Sequence, residues 1–139
     1  MEKVLDREEI IERLESKEVM DFANKYNITT MIIFGSIISN EFNVESDVDI
    51  AILSHDEIEL DNILDIELFL QNLLNREIDV LDLRSEGLDL FLKINILNKG
   101  KVLYTKDNRE SLDVLYNETD KTYKENENFI HFRKVDVLS

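Results

Sequence analysis

Two acids stand one residue apart at the head of an apolar run, Asp47 and Asp49 in SDVDIAIL. Ten residues upstream lies Gly35-Ser36, which closes another apolar run, TTMIIF. Strand alternation places Asp47 and Asp49 on one face and Val48 and Ile50 on the other. Two carboxylates this close do not both ionise unless something positive sits between them. A hard divalent cation answers that need, and Mg²⁺ takes oxygen ligands from a carboxylate or two together with substrate phosphates. Gly35-Ser36 is expected to end its strand in a helical turn. The turn's backbone N–H groups and the Ser36 hydroxyl suit phosphate oxygens, and Gly35 allows close approach to the backbone. An anion site and a cation site within one loop suit a nucleoside triphosphate bound with Mg²⁺.

A third acid follows in REIDVLDL, where Asp79 and Asp82 point to opposite faces of a short strand. If that strand lies beside the second, Asp79 completes a carboxylate triad with Asp47 and Asp49. A triad of this kind holds two metal ions roughly 3.5–4 Å apart, one acidifying an attacking hydroxyl and one holding the triphosphate and leaving group. Asp82 is the alternative third acid. A Gly-Ser turn or an Asp-x-Asp alone is commonplace. The combination of strand, Gly-Ser, ten residues, Asp-x-Asp in a strand and a later strand acid beyond one long helix is far more specific.

The elements that must position these residues are legible from periodicity. Asp6 caps a first helix with Ile10, Ile11 and Leu14 on one face. Ser16 caps a second over 17–26. Strands are expected over 29–34, 47–54, 77–83 and 101–105. Helices are expected over 57–74 and 86–98, the latter closed by Gly100, and Asp107 caps a last helix to about Lys124. One or two helical turns fall within 36–41. Alternating elements give an α/β domain, a sheet covered by helices, without fixing its strand directions.

The 139 residues fit one domain, 1–139, with a 43% hydrophobic fraction sufficient for a core. No apolar run approaches the roughly 20 residues of a membrane helix. The charged N-terminal stretch lacks a secretory h-region and cysteine is absent, so a cytoplasmic protein without disulfides or thiolate metal sites is expected. A net charge of −15 argues against broad nucleic-acid binding and favours a basic protein partner.

GSIISNEFNVESDVDIAIL resembles the GS-x10-DxD pattern of the nucleotidyltransferase superfamily that includes DNA polymerase beta and kanamycin nucleotidyltransferase. The small size and REIDVLDLRSEGLDLFLKINILNKGKVLYTKD resemble the minimal nucleotidyltransferases (MNT), the MntA-type antitoxins that accompany HEPN-domain toxins. The resemblance covers about 28–107 and implies a polymerase-beta-like fold, a small mixed sheet flanked by helices. By position, it implies that Gly35 and Ser36 hold the triphosphate, that Asp47 and Asp49 bind the metals, and that Asp79 is the third acid, ligand or base. It further implies two Mg²⁺ ions, ATP as substrate, AMP transfer to a tyrosine of a HEPN-family toxin, and a homo- or hetero-oligomer. This chain departs from the pattern at Asn40, where many members have Gly, and at Ile37, Ile38 and Ser39, which bring no positive charge. Asn40 tolerates a left-handed turn, and a basic group from elsewhere in the fold or from a partner is a substitute.

Three rival functions stay open. One is nucleotide transfer to a small molecule such as an aminoglycoside, for which this short chain lacks an added acceptor domain. Another is an antitoxin that neutralises by binding alone, against which stands the cost of three unneeded carboxylates near a buried strand. The third is a metal-binding or regulatory module. Elsewhere, His55 reads as a solvent-facing loop residue, Arg76 and Arg84 as surface ion pairs, Lys99 and Lys101 as exposed, and Tyr104, Tyr116 and Tyr123 as packing residues. FIHFRK (129–134) reads equally as a docking segment or a frayed terminus.

Overall fold

A computed structural model of the chain describes residues 4–125; the 129–134 segment lies outside them. Helices α1 (Arg7–Leu14) and α2 (Lys17–Asn24) start where the sequence places caps. Asp6 Oδ1 accepts the Glu9 N–H at 2.9 Å, and Ser16 Oγ accepts that of Val19. Strand β1 (Ile28–Phe34) is buried along its whole length, as its unbroken apolar and β-branched run requires. A four-residue 3-10 turn, Gly35–Ile38, follows. Then come β2 (Val48–Ser54), α3 (Leu60–Leu74), β3 (Ile78–Asp82), α4 (Leu90–Lys99), β4 (Lys101–Thr105) and α5 (Glu110–Glu125).

The sheet is mixed, in the order β3-β2-β1-β4. β1 pairs antiparallel with both β2 and β4, whereas β2 and β3, joined through α3, run parallel. Parallel strands require a crossover of this kind. Helices α1, α2 and α3 cover one face through Ile10, Val19, Ile66 and Leu70 packed on Ile33, Ile50 and Ile52. Helices α4 and α5 cover the other through Ile96, Leu112 and Leu115 over Ile32, Ala51 and Leu53. Phe22 of α2 stacks on Phe69 of α3 with ring centroids 3.8 Å apart. No helix among the described residues is long and apolar enough to cross a membrane.

Several boundaries differ from the sequence reading for local reasons. α3 begins at Leu60 rather than 57, because the Ile58 N–H is taken by Asp82 Oδ2 at 2.7 Å and holds 57–59 extended. α4 begins at Leu90 because Asp89, not a residue near 86, caps it through the Leu92 N–H at 3.0 Å. α2 ends at Asn24, and Asn27 turns the chain into β1 through a left-handed backbone. Asp47 falls just before β2 rather than inside it.

Candidate active site

The antiparallel register sets Phe34, the last residue of β1, opposite Asp49. The parallel register sets Asp49 opposite Asp79. The condition on which the triad depends, β3 beside β2, is therefore met. Gly35-Ser36, Asp49 and Asp79 come from three adjacent strands and share one end of the sheet. Ile50 and Ile52 pack with the face under α3, so the alternating set of Asp49, Ala51 and Leu53 belongs to the α4/α5 face.

Gly35 begins the turn with φ +78, a conformation that suits glycine. A Cβ built there would collide with Asp49 Oδ2 and lie 3.3 Å from Asp49 Cγ. The glycine is thus favoured by its own backbone, and it leaves the Asp49 carboxylate room to sit against the turn. Fully buried Ile37 anchors the turn in the core, and Ser36 O accepts the Ser39 N–H at 2.9 Å to close it. Ser36 itself is only partly covered and Gly35 is exposed.

Asp49 is half-buried, while Asp47 and Asp79 are exposed. The Asp49 carboxyl is pushed above the usual carboxylate range, first by burial and then by the negative charges of Asp79 and Asp47. No side-chain hydrogen bond to any of the three acids is found among the described residues. The exposure of two members also revises the expected cost of an idle triad, which falls mainly on Asp49.

The donor set suits a hard divalent cation: three carboxylates, two of which raise the pKa of the third. The side chains do not stand as a ready-made group, since no cluster of three His, Cys, Asp or Glu residues that could hold a metal ion is found among the described residues. Asp47 and Asp79 are exposed, so turning either carboxylate toward Asp49 meets little packing. Asp82 is excluded as the alternative third acid. It is 7% exposed, and its two oxygens accept the N–H groups of Ile58 (2.7 Å) and Arg84 (2.9 Å).

The loop between the Gly35-Ser36 turn and Asp47 is held by two arginines that sequence reasoning assigned elsewhere or passed over. Among the described residues Arg76 forms no ion pair. Its Nη1 donates to Asn43 O at 3.0 Å and Ser46 O at 2.7 Å, and its guanidinium lies 4.7 Å from the Phe42 ring centroid. Arg7, from α1, donates to Ser39 O and lies 5.8 Å from the same ring. Two guanidiniums flanking Phe42 hold the 39–46 loop between the Gly35-Ser36 turn and Asp47. Asn40 adopts no left-handed backbone; the loop is held by the arginines instead. Arg76 abuts β3 in sequence and could have been suspected, but only the tertiary fold brings Arg7 to Ser39.

The remaining candidates lie away from the triad. His55 and Arg84 line a cavity with Lys106 and Ser111 at the opposite end of the sheet. The seven residues of β2 separate that end from Asp47, roughly 20 Å at the strand rise. Arg84 donates to Ser54 O rather than to an acid. Lys99 and Lys101 are exposed. Tyr104 packs with the α2 side of the core and donates to Asn24 Oδ1 at 3.2 Å, while Tyr116 and Tyr123 line a groove between α4 and α5.

Residues 17–109 match the family described as polymerase beta, nucleotidyltransferase. The chain belongs to that family, and the mixed four-stranded sheet and five helices of its described residues are the polymerase-beta-like nucleotidyltransferase fold. Among solved structures it is similar to a chain of a toxin–antitoxin crystal structure with AMP-PNP, at TM-score 0.73 and 19% identity over 88% of this chain and 97% of that one. It is similar to a chain of the MntA–HepT toxin–antitoxin structure, at TM-score 0.70 and 19% identity over 91% of this chain and 99% of that one. A third similar chain comes from the tri-AMPylated Shewanella oneidensis HEPN toxin in complex with its MNT antitoxin, at TM-score 0.70 and 19% identity over 91% and 98%. No curated protein matches the chain.

Proposed function

We propose that this nucleotidyltransferase is the antitoxin of a toxin–antitoxin pair and transfers AMP from ATP to a tyrosine hydroxyl of a HEPN-family toxin. The observation that carries the transfer chemistry is the double register of Asp49, opposite Phe34-Gly35 on one side and Asp79 on the other. The acceptor and nucleotide are supported by the similar structures, one with AMP-PNP and one with an AMPylated toxin.

In this reading the Gly35-Ser36 turn receives the triphosphate and Asp47, Asp49 and Asp79 form the acidic wall beside it. The toxin hydroxyl attacks the α-phosphorus in line. A new O–P bond forms, the bond to the bridging oxygen of the β-phosphate breaks, pyrophosphate leaves, and the hydroxyl proton is lost to an acceptor in the site. Asp47, Asp49 and Asp79 would hold Mg²⁺, two ions in the full arrangement; with them bound, the triphosphate charge is offset and the hydroxyl is acidified. Arg7 and Arg76 keep the loop that delivers Asp47 in place.

The test is transfer from α-labelled ATP, with Mg²⁺, to the cognate HEPN-family protein. Label on the partner that vanishes with Asp47→Asn plus Asp49→Asn supports the reading. Tight complex formation by both forms without label overturns it in favour of neutralisation by binding.

A further inference from the structure

Helix α3 buries Ile66, Leu70 and Leu74 against the sheet, so its core face is already satisfied. Its outer side nevertheless carries Leu60, Leu64 and Leu68, which are 71%, 52% and 58% exposed. A scattered exposed leucine needs no explanation. These three repeat every four residues and form one ridge, about 12 Å long at the helical rise. A ridge of i, i+4, i+8 side chains is the shape that fits the groove of a second helix. Exposed Asp61 and Asp65 run along one border of it, and exposed Glu57 and Glu59 precede it.

We propose that the Leu60–Leu64–Leu68 ridge of α3, with its acidic border, is the docking surface for an amphipathic helix of the protein partner that carries Lys or Arg beside its apolar stripe. The identity of that partner as the HEPN-family toxin rests on the function proposed above. Charge complementarity selects a basic partner over a second copy of this chain. Two copies facing each other would bring Asp61 and Asp65 of both into one seam, each on a chain of net charge −15.

The test measures binding of the purified HEPN-family protein to full-length wild type, to Leu64→Lys plus Leu68→Lys, and to Asp61→Lys plus Asp65→Lys. All three should melt alike, since these side chains face solvent, and Leu64→Ser provides a milder variant if the lysine pair unfolds. The leucine variant should bind about 100-fold more weakly, chiefly through faster dissociation. The aspartate variant should associate about tenfold more slowly and lose most of its salt dependence. Wild-type affinity in both variants overturns the proposed surface while leaving the pairing intact. Failure of the wild type itself to bind overturns the pairing, and the surface with it. A wild-type dimer that the leucine variant turns into a monomer assigns the ridge to a second copy and overturns the proposal.

Discussion

The two ends of the sheet both carry aspartates, and they treat them in opposite ways. At the end where β1 stops and β2 begins, Asp47, Asp49 and Asp79 have no hydrogen-bond donor among the described residues, and burial first, then the charges of Asp79 and Asp47, push the Asp49 carboxyl up. At the far end every buried or half-buried carboxylate is matched. Asp82 accepts two backbone N–H groups, and Asp107 accepts the Ser111 N–H at 3.1 Å and the Ser111 hydroxyl. Hydrogen bonds from Ser111 hold the Asp107 carboxyl below the usual range. A structural acid is recognisable by its donors. An acid held among other acids without donors costs stability.

The largest effect that sharpens this contrast is on chemistry. Asp47→Asn plus Asp49→Asn should lower AMP transfer by at least about a thousandfold. The same variant should melt no lower than the wild type, because it removes repulsion and breaks no side-chain hydrogen bond. Transfer assay and thermal melt together decide the point, and a melt several degrees lower would show that these acids also hold the fold.

At the other end the order reverses. Asp82→Ala leaves the Ile58 and Arg84 N–H groups without acceptors and should cost about 2–4 kcal/mol of stability. Transfer per folded molecule should change little, because Asp82 lies beyond the triad on β3. Denaturant unfolding measures the first, and activity normalised to the native fraction measures the second. An Asp82→Asn variant, which keeps an acceptor oxygen, should recover part of the loss.

Between these extremes lies the loop held by the arginines. Arg76→Lys keeps the charge but loses the planar guanidinium that lies over Phe42 while Nη1 reaches Asn43 O and Ser46 O and Nη2 reaches Leu5 O. We expect a loss of about 1–2 kcal/mol in stability and a fall in kcat of about tenfold, from imperfect placement of Asp47. Equal activity in Arg76→Lys and wild type would mean that the loop's position is set by the strands alone.

The contrast was only half legible in the sequence. The elements emerged because alternation, caps and β-branched runs are local, and the acid pair was conspicuous because Asp at both 47 and 49 interrupts an otherwise apolar strand pattern. The choice between Asp79 and Asp82 was not local. It depended on which strand neighbours β2 and in what register, and on the distant Ile58 N–H that claims Asp82. The hold of Arg7 on the loop after Ser36 was likewise beyond local reading, since its contact with Ser39 spans 32 residues. The start of α3 shifted for the same reason, since the hydrogen bond that holds Ile58 extended comes from another strand.

The smallest effect is the one in which the two ends oppose each other most directly. Asp49 has a folded pKa raised above its ordinary 3.8. Its contribution to stability is therefore greatest below 3.8, where it is protonated in both states, and declines as pH rises through the folded pKa. Asp107 has a folded pKa lowered below 3.8, so its contribution is present above that value and is lost as pH falls through the folded pKa. Solvent exposure keeps the Asp107 effect small. Melting temperatures of Asp49→Asn and Asp107→Asn, each taken as a difference from wild type, should therefore move in opposite senses between acid and neutral pH. Asp49→Asn gains on the wild type as pH rises above 3.8, whereas Asp107→Asn falls behind it at neutral pH and draws level only in acid. Curves of the same sign would mean that the triad acids find donors in solution, and the distinction between the two ends would not hold.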